Sequence, residues 1–548
     1  MTGKTLLILA VTAALWLSSG LSPGLSADPR QPGAADWPVP VREPAQLSLT
    51  LPEQRSQRAW VNDRRIFYSY QGQGALWLDM QQASSARILV NGQALTLPVE
   101  LSKHPMVLSL AGVTRDGLNQ LRVAEVKPAG ASIQLRLDYP RLKDGSATEA
   151  GFSAKRLAEL DALIEQEVAA GFPGAVLLIV KNGRVVKESA YGYAKRYDRY
   201  GQLLEQPVPM RTDTLFDLAS NSKMYGTLYA VMKLVSEGKL DINAPIQRYL
   251  PDYQGDGREQ RLVRDLLDHS AGYSPELHFF RPDNPLGADF YSVEPERTRR
   301  LLVEQVPLER PRGQQSRYSD TGFMLLGVLV EQLTGLSLDR YLEQELYQPL
   351  GLERTLFNPL QKGVAAAEIA ATELDGNYRA GMARPFPGMR RGVIRGEVHD
   401  EKAFHSMAGV AGHAGLFSTA RELAKLMLLA QHGGYGDVPL FSQAVIQQFV
   451  RPSVQDHRFG LGWRTAVGGE LAWHFGPYAS RYAFGHTGWT GTASLVDPHY
   501  DLLVVLLTNK KHSPILRQGA GYEFSGDRFE TGRYGSIMSL VYEAMLGL

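Results

Sequence analysis

Among its 548 residues the chain has no cysteine. That excludes disulfides, thiolate nucleophiles and cysteine-based zinc sites, and with them a lipid anchor attached through cysteine. An excess of either charge is missing too. The 58 Lys and Arg residues face 57 Asp and Glu, a net charge of +1, so nothing electrostatic points to nucleic acid or to an acidic membrane surface. Beyond the first 25 residues no apolar run approaches the roughly 20 residues that a spanning helix needs. What remains, 44% apolar and 21% charged, is the composition of a globular chain long enough for several domains and for a core without covalent staples.

Residues 1–27 read as an export signal. Lys4 precedes the apolar run 6–17, and small residues lead to Ser26 and Ala27 before Asp28. The expectation is an exported, periplasmic protein; left uncleaved, the same segment would tether it to the inner membrane. The motif Gly20-Leu21-Ser22-Pro23-Gly24 has the spacing of a nucleophile elbow, but it lacks the flanking strand and helix and is set aside. Residues 28–42 form a proline-rich linker. Over 43–142, short runs such as 46–51, 75–78, 86–90 and 131–137 alternate apolar with polar positions, and Asn91-Gly92 supplies a hairpin turn. This predicts a small all-β sandwich, either a spacer or docking module or a contact for cell-wall glycan.

Residues 151–548 read differently. Ser153 is an N-cap and Gly171 a stop for a helix with Leu157, Leu160, Ile164 and Val168 on one face. Strands follow at 175–180 and 184–187, joined by Asn182-Gly183. The far end mirrors this, with strands near 492–496 and 502–508 and a helix over 536–546. The predicted architecture is α/β: an antiparallel sheet built from both ends of this region, flanked by helices, with a largely helical insert on the other side.

The chemistry centres on Ser220-Asn221-Ser222-Lys223. A serine and a lysine three residues apart share a helix face, and a hydroxyl needs an adjacent base to become a nucleophile. The apolar stretch 224–235 extends that helix into a core. The same spacing at Ser236 and Lys239 reads as a helix end with Gly238 as stop. Two further segments are candidate companions. Tyr318-Ser319-Asp320 opens an apolar helix, and its tyrosine can act as general base or proton relay beside Ser220 and Lys223. His486-Thr487-Gly488 precedes a strand whose edge can pair with an extended peptide. The N–H groups of Ser220 and Trp489 can together hold an oxyanion. His399, His405 and His413 lack metalloprotease spacing and read as structural. The glycines of 408–415 read as a close-packed turn near the cleft. The arginines of 379–395 read as solvating a long loop, one of them alternatively meeting a substrate carboxylate.

Ser-x-x-Lys, Tyr-x-Asp and His-Thr-Gly in this order resemble the triplets of the active-site serine penicillin-recognising enzymes: class C β-lactamases, low-molecular-weight D,D-peptidases and related esterases. Supporting segments are Leu266-Leu267-Asp268-His269-Ser270-Ala271-Gly272, the run 398–404, the run 412–418 and Phe459-Gly460-Leu461-Gly462-Trp463. The resemblance covers 151–548 and leaves the sandwich outside. It implies the β-lactamase/D,D-peptidase fold, an acyl-enzyme on Ser220, and Ser220, Lys223 and Tyr318 as catalytic residues. Asp320, His486, Thr487 and Gly488 become substrate-binding residues. The implied substrate is a D-Ala-D-Ala stem peptide of peptidoglycan, with small esters or β-lactams as alternatives, or a slow-turnover penicillin- or peptide-binding role; no metal or organic cofactor is implied. Two positions depart from the family pattern. Asp320 replaces an asparagine, and a carboxylate cannot donate to a substrate carbonyl; it can instead keep Lys223 charged and so favour Tyr318 as base. His486 replaces a lysine and offers less fixed charge near neutral pH.

Overall fold

The period-two segments of the N-terminal region pair into two small antiparallel sheets. One runs Asp63–Ser69, Gly117–Lys127, Ser85–Val90, Gln93–Ala94; the other runs Met106–Ser109, Ala75–Asp79, Gln134–Leu137. The structure is a computed structural model that describes residues 54–56, 59–60, 63–97, 105–128, 131–275, 277–376, 385–518 and 521–548. The expected signal, the linker and the run 46–51 lie outside the described residues. Ile88, Val90 and Leu121 of the first sheet share a core with Leu76, Leu78 and Leu135 of the second, the arrangement of a sandwich. Asn91 and Gly92 both have positive φ, 52° and 83°, as a two-residue hairpin turn requires.

The sandwich is fastened to the remainder of the chain. The Tyr70 hydroxyl lies 3.0 Å from Nε2 of His432, and the hydroxyls of Tyr68 and Tyr70 both donate to Asp501. The Tyr139 N–H donates to the Gly436 carbonyl at 2.7 Å.

The large sheet has eight strands. In order they are Lys143–Asp144, Arg184–Tyr197, Gly174–Lys181, Leu502–Thr508, Thr492–Asp497, Phe484–Gly488 and Arg464–Thr465, with Leu203–Pro209 added beside Arg184–Tyr197. Both ends of the region thus meet in one sheet, as predicted. Its central strands are covered on both faces, which is why they read as continuous apolar runs. Leu177, Ile179, Val504 and Leu506 pack on one side against helices Ala154–Ala169 and Tyr534–Leu546. The Ser153 hydroxyl caps the first of these by accepting the Arg156 N–H. Val176, Leu178, Val505 and Leu507 face the opposite way, onto the insert that holds helices Tyr229–Ser236, Asp320–Thr334 and Ala420–His432. Arg184–Tyr197 is far longer than the strand expected at 184–187. The chain continues through Gly192, which has φ 68° and lies so close to Pro173 that a Cβ would meet its carbonyl oxygen at 2.5 Å. No single helix among the described residues is long and apolar enough to cross a membrane.

Candidate active site

The short strand Phe216–Asp217 pairs with Leu416–Ser418 and delivers the chain to Ser220. Just before it, Ala219 takes a left-handed conformation with φ 46°. Asp217 fixes that turn: one carboxylate oxygen accepts the Ala219 N–H at 2.8 Å and the other accepts the His399 N–H at 2.6 Å. The helix that follows is not the regular α-helix expected from its apolar run. Asn221 and Ser222 are α-helical, Lys223–Leu228 is a π-helical turn, and Tyr229–Ser236 resumes the α-helix. Neighbouring hydroxyls supply bonds around the wider turn. Tyr347 donates to the Tyr225 carbonyl at 3.0 Å, and Thr227 donates to the Gly412 carbonyl at 2.8 Å. The serine–lysine contact survives, with Lys223 Nζ donating to Ser220 Oγ at 3.0 Å. Ser236 ends the helix, and Lys239 of the second Ser-x-x-Lys pairs with Glu237 on the surface.

Lys223 is fully buried and has three further neighbours. Its Nζ donates to the His413 carbonyl at 3.1 Å, lies 2.8 Å from the Asp320 carboxylate and sits 4.9 Å from the centre of the Tyr318 ring. Burial alone would favour the neutral amine, but Asp320 and Tyr318 outweigh it and the ammonium is held above its ordinary range. Asp320 is held well below the usual carboxylate range: burial opposes ionisation, and the charges of Lys223 and Lys402 override it. Asp320 is the first residue of helix Asp320–Thr334, capped by the Ser319 hydroxyl. Its side chain lies behind Lys223, not among the cleft-lining residues where the triplet resemblance places it.

On the other wall, Gly488 lies directly against the serine turn. A Cβ there would meet the Leu218 carbonyl oxygen at 2.4 Å and Ala219 Cβ at 3.2 Å, so only glycine permits this approach. Thr490 and Thr492 hydroxyls donate to the carbonyls of Asp217 and Leu218 at 2.8 and 3.0 Å, tying the strand edge to the serine. His486 is buried, and its Nδ1–H donates to the Thr487 carbonyl at 2.7 Å. Burial and then the charges of Arg464 and Lys223 push its pKa far down, so the ring is neutral. Ser220, Tyr318, His486, Thr487, Gly488 and Trp489 line one cleft of about 290 Å³. The geometry thus brings the sequence-derived candidates together, apart from Lys223 and Asp320, which support the cleft from beneath.

Six contributors were not singled out as site residues in the sequence, among them Lys510 and Lys511, which line the cleft and pair with Asp527 at 3.0 and 2.6 Å. Arg464 lines the cleft between the rings of Tyr318 and Trp473, 5.6 and 5.4 Å from their centres. Tyr534 donates its hydroxyl to the Gly488 carbonyl at 3.1 Å. His269 accepts the Ser319 N–H at 3.2 Å and packs 4.8 Å from the Tyr318 ring; burial and the nearby Lys223 charge push its pKa down to about 3. Lys402 lies 3.2 Å from Asp320 and 3.0 Å from Asp400. Only His269 and Lys402 carried a local signal, in the segments that support the family resemblance.

The three histidines first weighed as metal ligands each meet a carboxylate: His399 with Glu373 at 2.7 Å, His405 with Glu401 at 2.8 Å, His413 with Asp400 at 2.9 Å. Asp320, Asp400 and His413 bring ligand atoms within 4.8 Å of one another. The Lys402 ammonium already stands between the two carboxylates, and together with Lys223 it balances their charge. The 408–415 turn is close-packed as expected, with the place of a Gly412 Cβ 2.0 Å from the Phe323 carbonyl oxygen. The arginine expectation holds for Arg391, which is exposed, and is corrected for Arg390 and Arg395. Arg390 donates to the carbonyls of Val398 and His399 at 2.8 and 2.9 Å, and Arg395 to that of Ile369 at 2.7 Å, so both brace the loop instead of solvating it. Arg379 and Arg384 lie outside the described residues.

The Beta-lactamase family pattern matches residues 160–525. An N-acetylmuramyl-L-alanine amidase of Bacillus subtilis (strain 168) is 48% identical over 408 residues, covering 73% of this chain and 91% of that protein. A protein of Escherichia coli (strain K12) named "Putative D-alanyl-D-alanine carboxypeptidase" is 43% identical over 419 residues, covering 74% and 94%. A solved penicillin-binding protein homologue from Caulobacter crescentus superposes with a TM-score of 0.50 at 24% identity, over 72% of this chain and 99% of that one.

Proposed function

Because this chain belongs to the β-lactamase family of serine hydrolases, we propose that Ser220 is its nucleophile and that it cuts an amide bond in a peptidoglycan stem peptide. The observation that carries this is the 3.0 Å bond from a buried, charged Lys223 to Ser220 Oγ at the floor of the cleft. A lysine held as ammonium orients the hydroxyl but cannot take its proton. Tyr318, facing Lys223 and Arg464, is the acceptor in its phenolate form, its own proton having left to solvent before the serine attacks. Ser220 Oγ bonds to the substrate carbonyl carbon as its proton passes to Tyr318. The N–H groups of Ser220 and Trp489 hold the oxyanion. The C–N bond then breaks, and Tyr318 returns the proton to the leaving amine. Water, deprotonated in the same way, releases the acyl group. Thr487 and the edge at Gly488 align the substrate, with His486 as a neutral neighbour.

Arg464 indicates an anionic substrate. Its Nε is covered and unbonded, and among the described residues it forms no ion pair. A partly buried guanidinium of this kind, lining the cleft, suits a substrate carboxylate. The first reading is therefore a D-Ala-D-Ala carboxypeptidase, with the terminal carboxylate on Arg464. A second reading is favoured by the 48% identical relative named as an N-acetylmuramyl-L-alanine amidase. In the D-lactyl group of muramic acid and in a D-alanyl residue alike, a methyl-bearing carbon flanks the carbonyl that is attacked, substituted by oxygen in the one and by nitrogen in the other. The proposal includes export directed by 1–27 and a wall-docking role for the 43–142 sandwich.

The test is mass spectrometry of the full chain with a penicillin, a D-Ala-D-Ala pentapeptide and its N-acetylmuramyl form. Release of D-Ala from both peptides with a penicilloyl adduct on Ser220 supports the carboxypeptidase; release of intact pentapeptide from the muramyl form alone supports the amidase. Adduct formation that persists in Ser220→Ala would sink the site, and turnover of simple esters alone would move the protein to an esterase role.

A further inference from the structure

Beneath the cleft the buried charges close into a loop. Lys223 Nζ contacts one Asp320 oxygen at 2.8 Å, and Lys402 Nζ contacts the other at 3.2 Å. Lys402 also contacts Asp400 at 3.0 Å, and Asp400 meets His413 Nε2 at 2.9 Å. The His413 carbonyl returns to Lys223 at 3.1 Å. Lys402, Lys223 and His413 are all at most 1% exposed, so neither ammonium is screened by water. Asp400 is the N-cap of the short helix Glu401–Ser406 and accepts the Ala403 N–H at 2.9 Å, which pins the loop to backbone.

We propose that Lys402 is a positioning residue for the serine reaction: it supplies the second cation that lets a carboxylate stand at position 320, and through Asp320 it keeps Lys223 an ammonium. This rests on the reading of Ser220 as nucleophile. The charge arithmetic is specific. Two ammoniums alternate with two carboxylates. Without Lys402, Asp320 and Asp400 become a pair of close carboxylates, and such pairs share a proton. A protonated Asp320 no longer compensates Lys223, and the proton route from Ser220 to Tyr318 changes. The other titratable or charged groups facing this loop are Tyr318 and His269 from the tyrosine wall, and Glu401 with its partners Arg390 and His405 from the neighbouring turn. None of these contacts provides a cation between Asp320 and Asp400.

The experiment compares Lys402→Met, Asp400→Asn and the double variant with wild type. It measures the rate of Ser220 acylation by a chromogenic penicillin or ester across pH 5 to 9. Lys402→Met is expected to lose about tenfold or more in acylation rate near pH 7 and to move the acid limb by about one pH unit, the scale of shift that a neighbouring like charge produces. The double variant removes one charge of each sign and is expected to recover most of the rate and the wild-type limb. A merely structural lysine predicts no shift and a double variant at least as poor as the single one; that outcome overturns the proposal. Should Lys402→Met fail to fold, the double variant decides: folded with a wild-type limb supports the proposal, unfolded or shifted overturns it. If wild type is acylated by none of the penicillin, the ester and the stem peptides, the reading of Ser220 as nucleophile falls and takes this one with it. Normal wild-type acylation with an unshifted Lys402→Met profile overturns this one alone.

Discussion

Ala219 holds, immediately before the candidate nucleophile, a left-handed conformation that costs an L-residue about 1–2 kcal/mol. It persists because Asp217 and the Gly488 edge fix the backbone on both sides. Ala219→Gly should relieve the strain while loosening the unfolded chain by about 0.4–1 kcal/mol. The net expectation is stability unchanged or raised by up to about 1.6 kcal/mol, with acylation retained. Ala219→Val adds a branched Cβ at positive φ and should lose both stability and acylation. Urea midpoints and penicillin labelling check the pair; equal behaviour of Gly and Val would show that the turn carries no strain.

At the scale of elements, the 408–415 turn fills the gap between the serine helix and the tyrosine helix. Gly412 touches Phe323 and Gly327 so closely that Gly412→Ala must push the turn outward. Overpacking of this kind costs about 1–3 kcal/mol. The His413 carbonyl would leave Lys223, so acylation should slow as the melting temperature falls; a variant with normal labelling would show the carbonyl to be dispensable. This element also shows where sequence reading stops. Glycine spacing signalled a tight turn, but not that its carbonyl faces Lys223. Ser220 and Lys223 were legible because their contact is local, and the two companion triplets because order and flanking strand or helix are local features. Lys402 and Arg464 were not legible as site residues. The partners that place them at the site, Asp320 and Tyr318, lie far away in sequence, and a buried lysine or arginine looks the same as an exposed one until the fold is closed. The π-turn was hidden for a related reason: an apolar run buried on all sides has no face from which to read a period.

For the molecule as a whole, buried histidines predict acid sensitivity. Burial pushes His269, His474 and His512 down to about 3, and His486 well below its ordinary range. In the unfolded chain they titrate near 6.5. The unfolded state therefore binds more protons, and stability present above about pH 6.5 is lost as pH falls, each histidine contributing up to about 1.4 kcal/mol per pH unit. Carboxylates held low, such as Asp320 and Asp527, add their loss only below about pH 4. The urea midpoint should accordingly drop between pH 7.5 and 5; a flat midpoint would contradict the buried, neutral histidines. The sheet that carries the site has a different consequence, one of timing. Asn221 is locked to Thr492 across 271 positions of chain, and strand Gly174–Lys181 finds its inner neighbour only in Leu502–Thr508. At 5–20 residues per second of synthesis, roughly 15–55 s separate the emergence of the serine from that of its opposite wall. A half-made chain carries the candidate nucleophile without a cleft, so the proposed chemistry stays silent until the opposite wall has been made.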